Sequence, residues 1–270
     1  MKRNLVFFSI LFTVTLFSCK KEDPIVVERN STGLLTRVII SGETYMEYTY
    51  LNSGLIYEEK SKFHYTKHTY NSSNLVEKSE SYWDPSIFSS SSDVLNEAMK
   101  RKEWVNPQNT PKSATNTYFY GKNGQLNKST ANLSNGTINI TTYDCNDHNR
   151  ISRQTFYSEN SPSGYIDFFY DEPGNLIKRL HYYILTDGTD QLQTTTEYEY
   201  DTMHNPYLAF RQLLNPCRYT NLNNITKETY TLHFEVDSWI QKVQITTNKY
   251  EYNELGYPLK VNDETVYEYN

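Results

Sequence analysis

Residues 167–183 read Asp-Phe-Phe-Tyr-Asp-Glu-Pro-Gly-Asn-Leu-Ile-Lys-Arg-Leu-His-Tyr-Tyr. Aromatic residues two apart place their rings on one face of a strand. The strand stops at Tyr170-Asp171, because Asp, Asn and Gly tolerate turn dihedrals and Asp and Asn bond their own backbone. Gly174 or a nearby Asn supplies the positive φ at the far end of the turn. Leu176-Ile177 then restarts a strand, so the stretch predicts a β-hairpin.

Working outward, imperfect copies of this unit recur at 48–56, 68–76, 118–126, 141–151, 198–201 and 250–259. The anchor tyrosines are Tyr50, Tyr70, Tyr120, Tyr143, Tyr170, Tyr200 and Tyr252, with the fourth turn stretched as far as Ile151. Most gaps are about 20–30 residues, the range of a repeat architecture. Residues 233–242 read as a shortened further copy turning at Asp237-Ser238. Ahead of the first copy, 34–40 is an apolar, β-branched strand, Ser41-Gly42 its turn, and 43–50 an alternating strand with Thr44, Met46, Tyr48 and Tyr50 on one side. Toward the end, 225–236 and 239–252 read as long strands, followed by 257–261, an Asn262-Asp263 turn and 265–269. The expected fold is all-β, an antiparallel meander of hairpins, strongly twisted or partly closed.

Two longer gaps hold inserts, at 83–113 and 203–221. In the first, 93–104 has helical composition with Asp93 as N-cap, closed off by Pro107 and Pro111. In the second, Asn205 is a cap, Pro206 suits the first helical position, and 207–214 reads as two turns of helix.

The unit Tyr-Asp-x-x-Gly-x-Leu, clearest at Tyr170–Leu176, resembles the YD repeats of the RHS family. Over about 43–270 the chain is similar to lipid-anchored, YD-like repeat proteins of Gram-negative anaerobes. The resemblance implies a hairpin-repeat fold. Large RHS proteins wind such hairpins into a shell around a toxin; this chain has too few units for that, and no toxin segment is recognised in it.

Residues 1–18 read as a signal peptide: Lys2 and Arg3 precede an apolar run too short to span a membrane comfortably. Leu16-Phe17-Ser18-Cys19 resembles a bacterial lipobox, with Cys19 as the lipid-carrying residue. Residues 19–30 form a tether and 31–270 a single domain. Lys20-Lys21-Glu22-Asp23 resembles an export tag for the outer face of the outer membrane. The expected address is therefore the outer membrane, lipid-anchored through Cys19 and exposed at the surface.

The 270 residues include 25 tyrosines and only 37% hydrophobic side chains, which predicts a thin core spread along a sheet. Net charge is −6, and the leader removes two positive charges more. Nucleic acid is not an expected partner. Cys145 and Cys217 are left after Cys19, and an oxidising compartment permits a disulfide that their positions do not establish.

Chemistry-bearing clusters are sparse. Asp144-Cys145-Asn146-Asp147-His148 offers metal-ligand types, but turns are rich in Asp and Asn on their own account. Glu197 and Glu199 share a strand face, as an acid/base pair would, yet alternation with Thr and Tyr reads as a solvated face. His64 and His68 are four apart on a strand, too far for easy co-ligation. No Ser/His/Asp pattern, Gly-rich phosphate loop or paired-Cys motif occurs, so no enzyme activity, metal or cofactor is expected. Asp201-Thr202-Met203 resembles a bacterial O-glycosylation site at Thr202. Tyr82, Trp83, Trp104 and Trp239 are the candidate ligand-binding residues, since exposed aromatics on a β face stack on sugars or anchor proteins. The expected function is non-enzymatic binding of a glycan or protein, with a structural role in an outer-membrane assembly as the alternative.

Overall fold

The computed structural model describes residues 33–84, 103–214, 216–235, 237 and 240–270. The leader, Cys19, the tether, Trp239 and most of the helix expected over 93–104 lie outside the described residues. Glu103 and Trp104 are described and are not helical.

The described strands are β1 (Leu35–Ile40), β2 (Glu43–Tyr50), β3 (Ile56–Ser61), β4 (His64–Tyr70), β5 (Val76–Trp83), β6 (Ala114–Tyr120), β7 (Leu126–Leu133), β8 (Ile138–Cys145) and β9 (Ile151–Ser158). They continue as β10 (Ser161–Tyr170), β11 (Leu176–Ile184), β12 (Asp190–Tyr200), β13 (Ile225–Leu232), β14 (Val243–Thr247), β15 (Tyr250–Tyr252), β16 (Pro258–Val261) and β17 (Thr265–Tyr269). From β1 to β14 each strand pairs antiparallel with the next. β15, β16 and β17 continue the meander, and β17 pairs with β1. β14 and β15 are pieces of one extended run; the first pairs with β13 and the second with β16. Among the described residues the registers give no ladder between β14 and β15. The sheet therefore curls until its ends meet without becoming a closed barrel.

The repeat turn has one geometry. Its first residue donates its N–H to the carbonyl of the fifth, as in Asn71 to Leu75 (2.9 Å), Asp171 to Asn175 (3.0 Å) and Asn253 to Tyr257 (2.9 Å). Its fourth residue has positive φ: Gly54, Asn74, Gly124, Asn149, Gly174 and Gly256. An Asp or Asn in first place also accepts two backbone N–H groups on Oδ1; at Asp171 these come from Gly174 and Asn175, each at 2.7 Å. Gly174 is favoured by its φ of +117°, and a Cβ there would also displace the Arg150 guanidinium, 2.4 Å away.

The anchors build a second ladder. Tyr70, Tyr120 and Tyr170 each donate a hydroxyl at 2.7 Å to the first carbonyl of the preceding return strand, at Ile56, Val76 and Ile151. Tyr50 to Leu35 and Tyr200 to Leu176, both 2.5 Å, and Tyr269 to Pro258, 2.7 Å, extend it. The fourth copy differs from its expected form. β8 runs on to Cys145, which pairs with Ile151 across an ordinary turn, so Cys145 and not Tyr143 is the anchor. Its Sγ lies 3.8 Å from the Leu126 carbonyl, because a thiol is shorter than a phenol, while Tyr143 bonds Ser129 at 2.9 Å.

Two further expectations are corrected. The strands read over 225–236 and 239–252 are shorter: the Leu232 N–H closes on the Lys242 carbonyl, and His233 turns its N–H to Gln193 of β12. The helix read over 207–214 is a 3-10 helix, Leu208–Leu213, ended by Leu214 at φ 53°. Asn205 does accept the Tyr207 N–H at 2.9 Å, but its amide is tied to the carbonyls of Arg218 and Asn221, which holds the segment to a short, tight turn.

This second insert fills the concave face of the sheet. Phe210 and Tyr219 stack on each other (5.4 Å, 18°) and pack with Tyr48, Tyr50, Ile56 and Tyr267. Leu214 and Cys217 pack against the other cluster, Leu126, Ile151, Phe168, Leu176 and Tyr198. One excursion thus serves both cores, which the strands alone would leave apart.

Candidate ligand-binding cavity

Strand alternation sorts the inner wall by height. At the repeat-turn end it carries the anchors and the first apolar residue of each return strand. One step further along, β3, β4 and β5 present Glu59, His68 and Ser79, all buried. Beyond those come Ser61, Thr66 and Ser81, then His64 opposite Trp83. The wall therefore changes from apolar to polar away from the turns, and the insert stands against it.

Two of the cavities between insert and wall adjoin Glu59. One, of about 290 Å³, is lined by Glu59, His68, Asn116, Gln154, Leu214 and Tyr219 among others. The other, of about 450 Å³, is lined by His64, Trp83, Tyr45, Tyr207, Arg218 and Glu59 among others. Glu59 faces both. Its Oε1 lies 3.0 Å from His68 Nε2, its Oε2 accepts from the Tyr219 hydroxyl at 3.2 Å, and His68 Nδ1 lies 2.8 Å from Ser79 Oγ. Burial pushes the Glu59 carboxyl up, but the bond and charge of His68 outweigh it and hold the group below its ordinary value. Burial, seconded by the nearby Arg218 charge, lowers His64, whose Nδ1 lies 3.0 Å from Ser61 Oγ. Burial and then the Glu59 charge raise the Tyr219 hydroxyl. The Arg218 guanidinium lies 4.5 Å from the Tyr207 ring centroid and 5.5 Å from that of Tyr219. The result is a solvent-reached cation flanked by aromatic faces.

The aromatic candidates do not form one patch. Trp83 lines the larger cavity and is 40% exposed. Tyr82, its neighbour in sequence, points to the other face of the sheet and meets Tyr65 edge-on at 5.7 Å. Trp104 is half-buried at the end of the strands away from the turns, where the Val105 N–H bonds the Ser61 carbonyl at 3.2 Å. Tyr207, Arg218 and Tyr219 were missed because they lie in an insert whose position sequence pattern does not fix.

Glu197 and Glu199 face outward and pair with Lys178 (3.5 Å) and Lys227 (2.8 Å). In 144–148, Asn146 Oδ1 is occupied by the N–H groups of His148 and Arg150. Among the described residues no three His, Cys, Asp or Glu side chains converge as metal ligands. Cys145 and Cys217 are free thiols. Thr202 is exposed in the turn after Asp201.

No protein-family model matches the chain, and no curated protein matches it. Among solved structures, a porin-like protein from Bacteroides vulgatus is 13% identical, covers 88% of this chain and 99% of its own, and has a TM-score of 0.49. A porin-like protein from Bacteroides uniformis is 10% identical, covering 87% of this chain and 96% of its own at a TM-score of 0.40. A TcdB2-TccC3-Cdc42 structure is 11% identical, covering 82% of this chain and 10% of its own at 0.30.

Proposed function

We propose that the protein is a non-enzymatic lipoprotein of the bacterial outer membrane, held by lipid on Cys19 and displaying its cupped sheet at the cell surface to bind a glycan. The observation that carries the binding reading is the cavity of about 450 Å³ in which Trp83 and Tyr207 stand with Arg218. Its size falls within the roughly 300–1,000 Å³ of small-molecule sites, and aromatic faces beside polar groups are what sugars stack on. The outer face of the sheet supports anchoring by lipid rather than by the wall itself. Arg37 pairs there with Glu47 and Glu268, and Lys178, Lys227 and Arg153 pair with carboxylates. Such charges are costly against hydrocarbon.

Glycan-array binding that is lost in Trp83→Ala supports this function, and an array with no Trp83-dependent hit overturns it. Cys19→Ala should release the protein from the membrane fraction, and protease shaving of intact cells should reach it.

The alternative, a subunit of an outer-membrane assembly, is favoured by β14. All five of its residues are exposed, with Val243 at 48% and Ile245 at 61%, and among the described residues it pairs with β13 alone. Such an edge can accept another strand. A stoichiometric membrane partner recovered in detergent would favour this alternative.

A further inference from the structure

The glycan reading leaves the charge of the ligand open, and the polar groups of the cavity decide it. Arg37 and Arg153 have carboxylate partners, at 3.1 Å and 2.6 Å. Arg150 holds the carbonyls of Asp171 and Pro173. Arg179 donates to Thr196 Oγ1 at 3.1 Å. Arg218, like Arg211, has no carboxylate within ion-pair distance among the described residues, but Arg218 lines the cavity, beside the Tyr207 and Tyr219 rings. The nearest carboxylate in the cavity lining is Glu59, whose two oxygens are already engaged by His68 and Tyr219. His64, across the cavity, is lowered by burial, with Glu59 opposing and Arg218 adding to the shift, and its Nδ1 is engaged by Ser61 Oγ at 3.0 Å.

The insert keeps Arg218 in place. Its own carbonyl accepts the Asn205 amide at 3.1 Å, and the same Asn205 bonds the Asn221 carbonyl at 2.8 Å. Asn221 in turn accepts the Leu176 N–H of the wall at 2.8 Å. The backbone beneath the guanidinium is therefore tied to the sheet, and the Tyr207 face helps to orient the planar fork. A fixed guanidinium without a carboxylate partner, open to solvent and facing aromatic rings, is matched by a planar anion on a ring that can stack.

We infer that the ligand is an acidic saccharide, with the carboxylate of a uronic acid on Arg218 and a sugar face against Trp83 or Tyr207. This rests on the cavity being the glycan site. Recognition then has two separable parts: the charge at Arg218 selects the acid, and the rings contribute to binding whatever the charge.

The test is calorimetry of the mature protein with galacturonate and glucuronate oligosaccharides, their methyl esters, sulfated oligosaccharides and neutral oligosaccharides. The expected result is at least tenfold tighter binding of acid than ester at low salt. Arg218→Gln should weaken binding of the acid at least tenfold more than binding of the ester and so remove that preference, and Arg218→Lys should restore part of it. Arg218-dependent binding of sulfated sugars alone would keep the acidic ligand and change its anion. Equal binding of acid and ester, untouched by Arg218→Gln, overturns the inference and leaves the glycan reading standing. No binding to any member of the panel overturns both. Far-ultraviolet spectra and melting curves of the variants separate lost recognition from lost folding.

Discussion

The turn at 171–175 and the excursion at 201–224 are the same turn at two lengths. In both, an Asp closes on an Asn: Asp171 to Asn175 at 3.0 Å and Asp201 to Asn224 at 3.1 Å. In both, the Asp Oδ1 takes two backbone N–H groups. The difference lies in what stands between. The short turn holds three residues and docks the long one, since Asn175 accepts the N–H groups of Leu222 and Asn223 at 2.9 and 3.1 Å. The long one holds the material of the core. A repeat turn closed by its first and last residues tolerates insertion, because lengthening a loop adds little closure entropy.

The largest expected effect comes from making the two turns equal. Replacing 202–223 by Glu-Pro-Gly reproduces the 171–175 turn but removes Phe210 and Tyr219 from one core and Leu214 and Cys217 from the other. The chain should lose cooperative melting and bind a hydrophobic dye, a loss above about 5 kcal/mol and comparable to the stability of a whole domain. A variant that still melts sharply would show that the strands suffice. Next, Phe210→Ala should cost about 3–5 kcal/mol in denaturant unfolding, since the ring is fully buried.

A smaller effect separates the two aspartates. Both accept the side-chain amide of the closing Asn, but Asp201 also accepts the Tyr252 hydroxyl. Asp201→Ala should therefore destabilise by about 2–3 kcal/mol, against about 1–2 kcal/mol for Asp171→Ala; equal values would mean that the Tyr252 bond contributes nothing. The smallest effect concerns acid. The carboxyl of Glu59 is held below its ordinary value in the fold. Its contribution is therefore present above the unfolded value and lost as pH falls through the folded one. Stability measured against pH should fall less steeply in Glu59→Gln across that window, and an unchanged slope would remove Glu59 from the acid response.

Sequence pattern revealed the wall well and the filling poorly. Strand alternation and turn chemistry are local, so β1, β2, the Ser41-Gly42 turn and most repeat turns were legible residue by residue. Cys145 escaped because the pattern sought a ring where the sheet needs only a side chain on the inner face. The strands read over 225–236 and 239–252 were drawn too long because alternation persists past Leu232, where the N–H closes on the Lys242 carbonyl. The cavity was least legible. Trp83 is read easily as an aromatic at the border of an insert, but its neighbours Tyr207 and Arg218 lie more than a hundred residues away. Only the fold of the insert brings them together.

The anchor ladder has a consequence for the order of assembly. Every rung donates backward: Tyr50 to Leu35, Tyr70 to Ile56, Tyr120 to Val76, Tyr170 to Ile151, Tyr200 to Leu176 and Tyr269 to Pro258. A chain that emerges N-terminus first finds each acceptor already in place, so the wall can grow one hairpin at a time. Only β1 must wait, because its second neighbour is β17, the last of the described strands. The β1–β17 ladder, finished by the Asn270 N–H on the Leu34 carbonyl at 3.1 Å, is then the latch that reports completion.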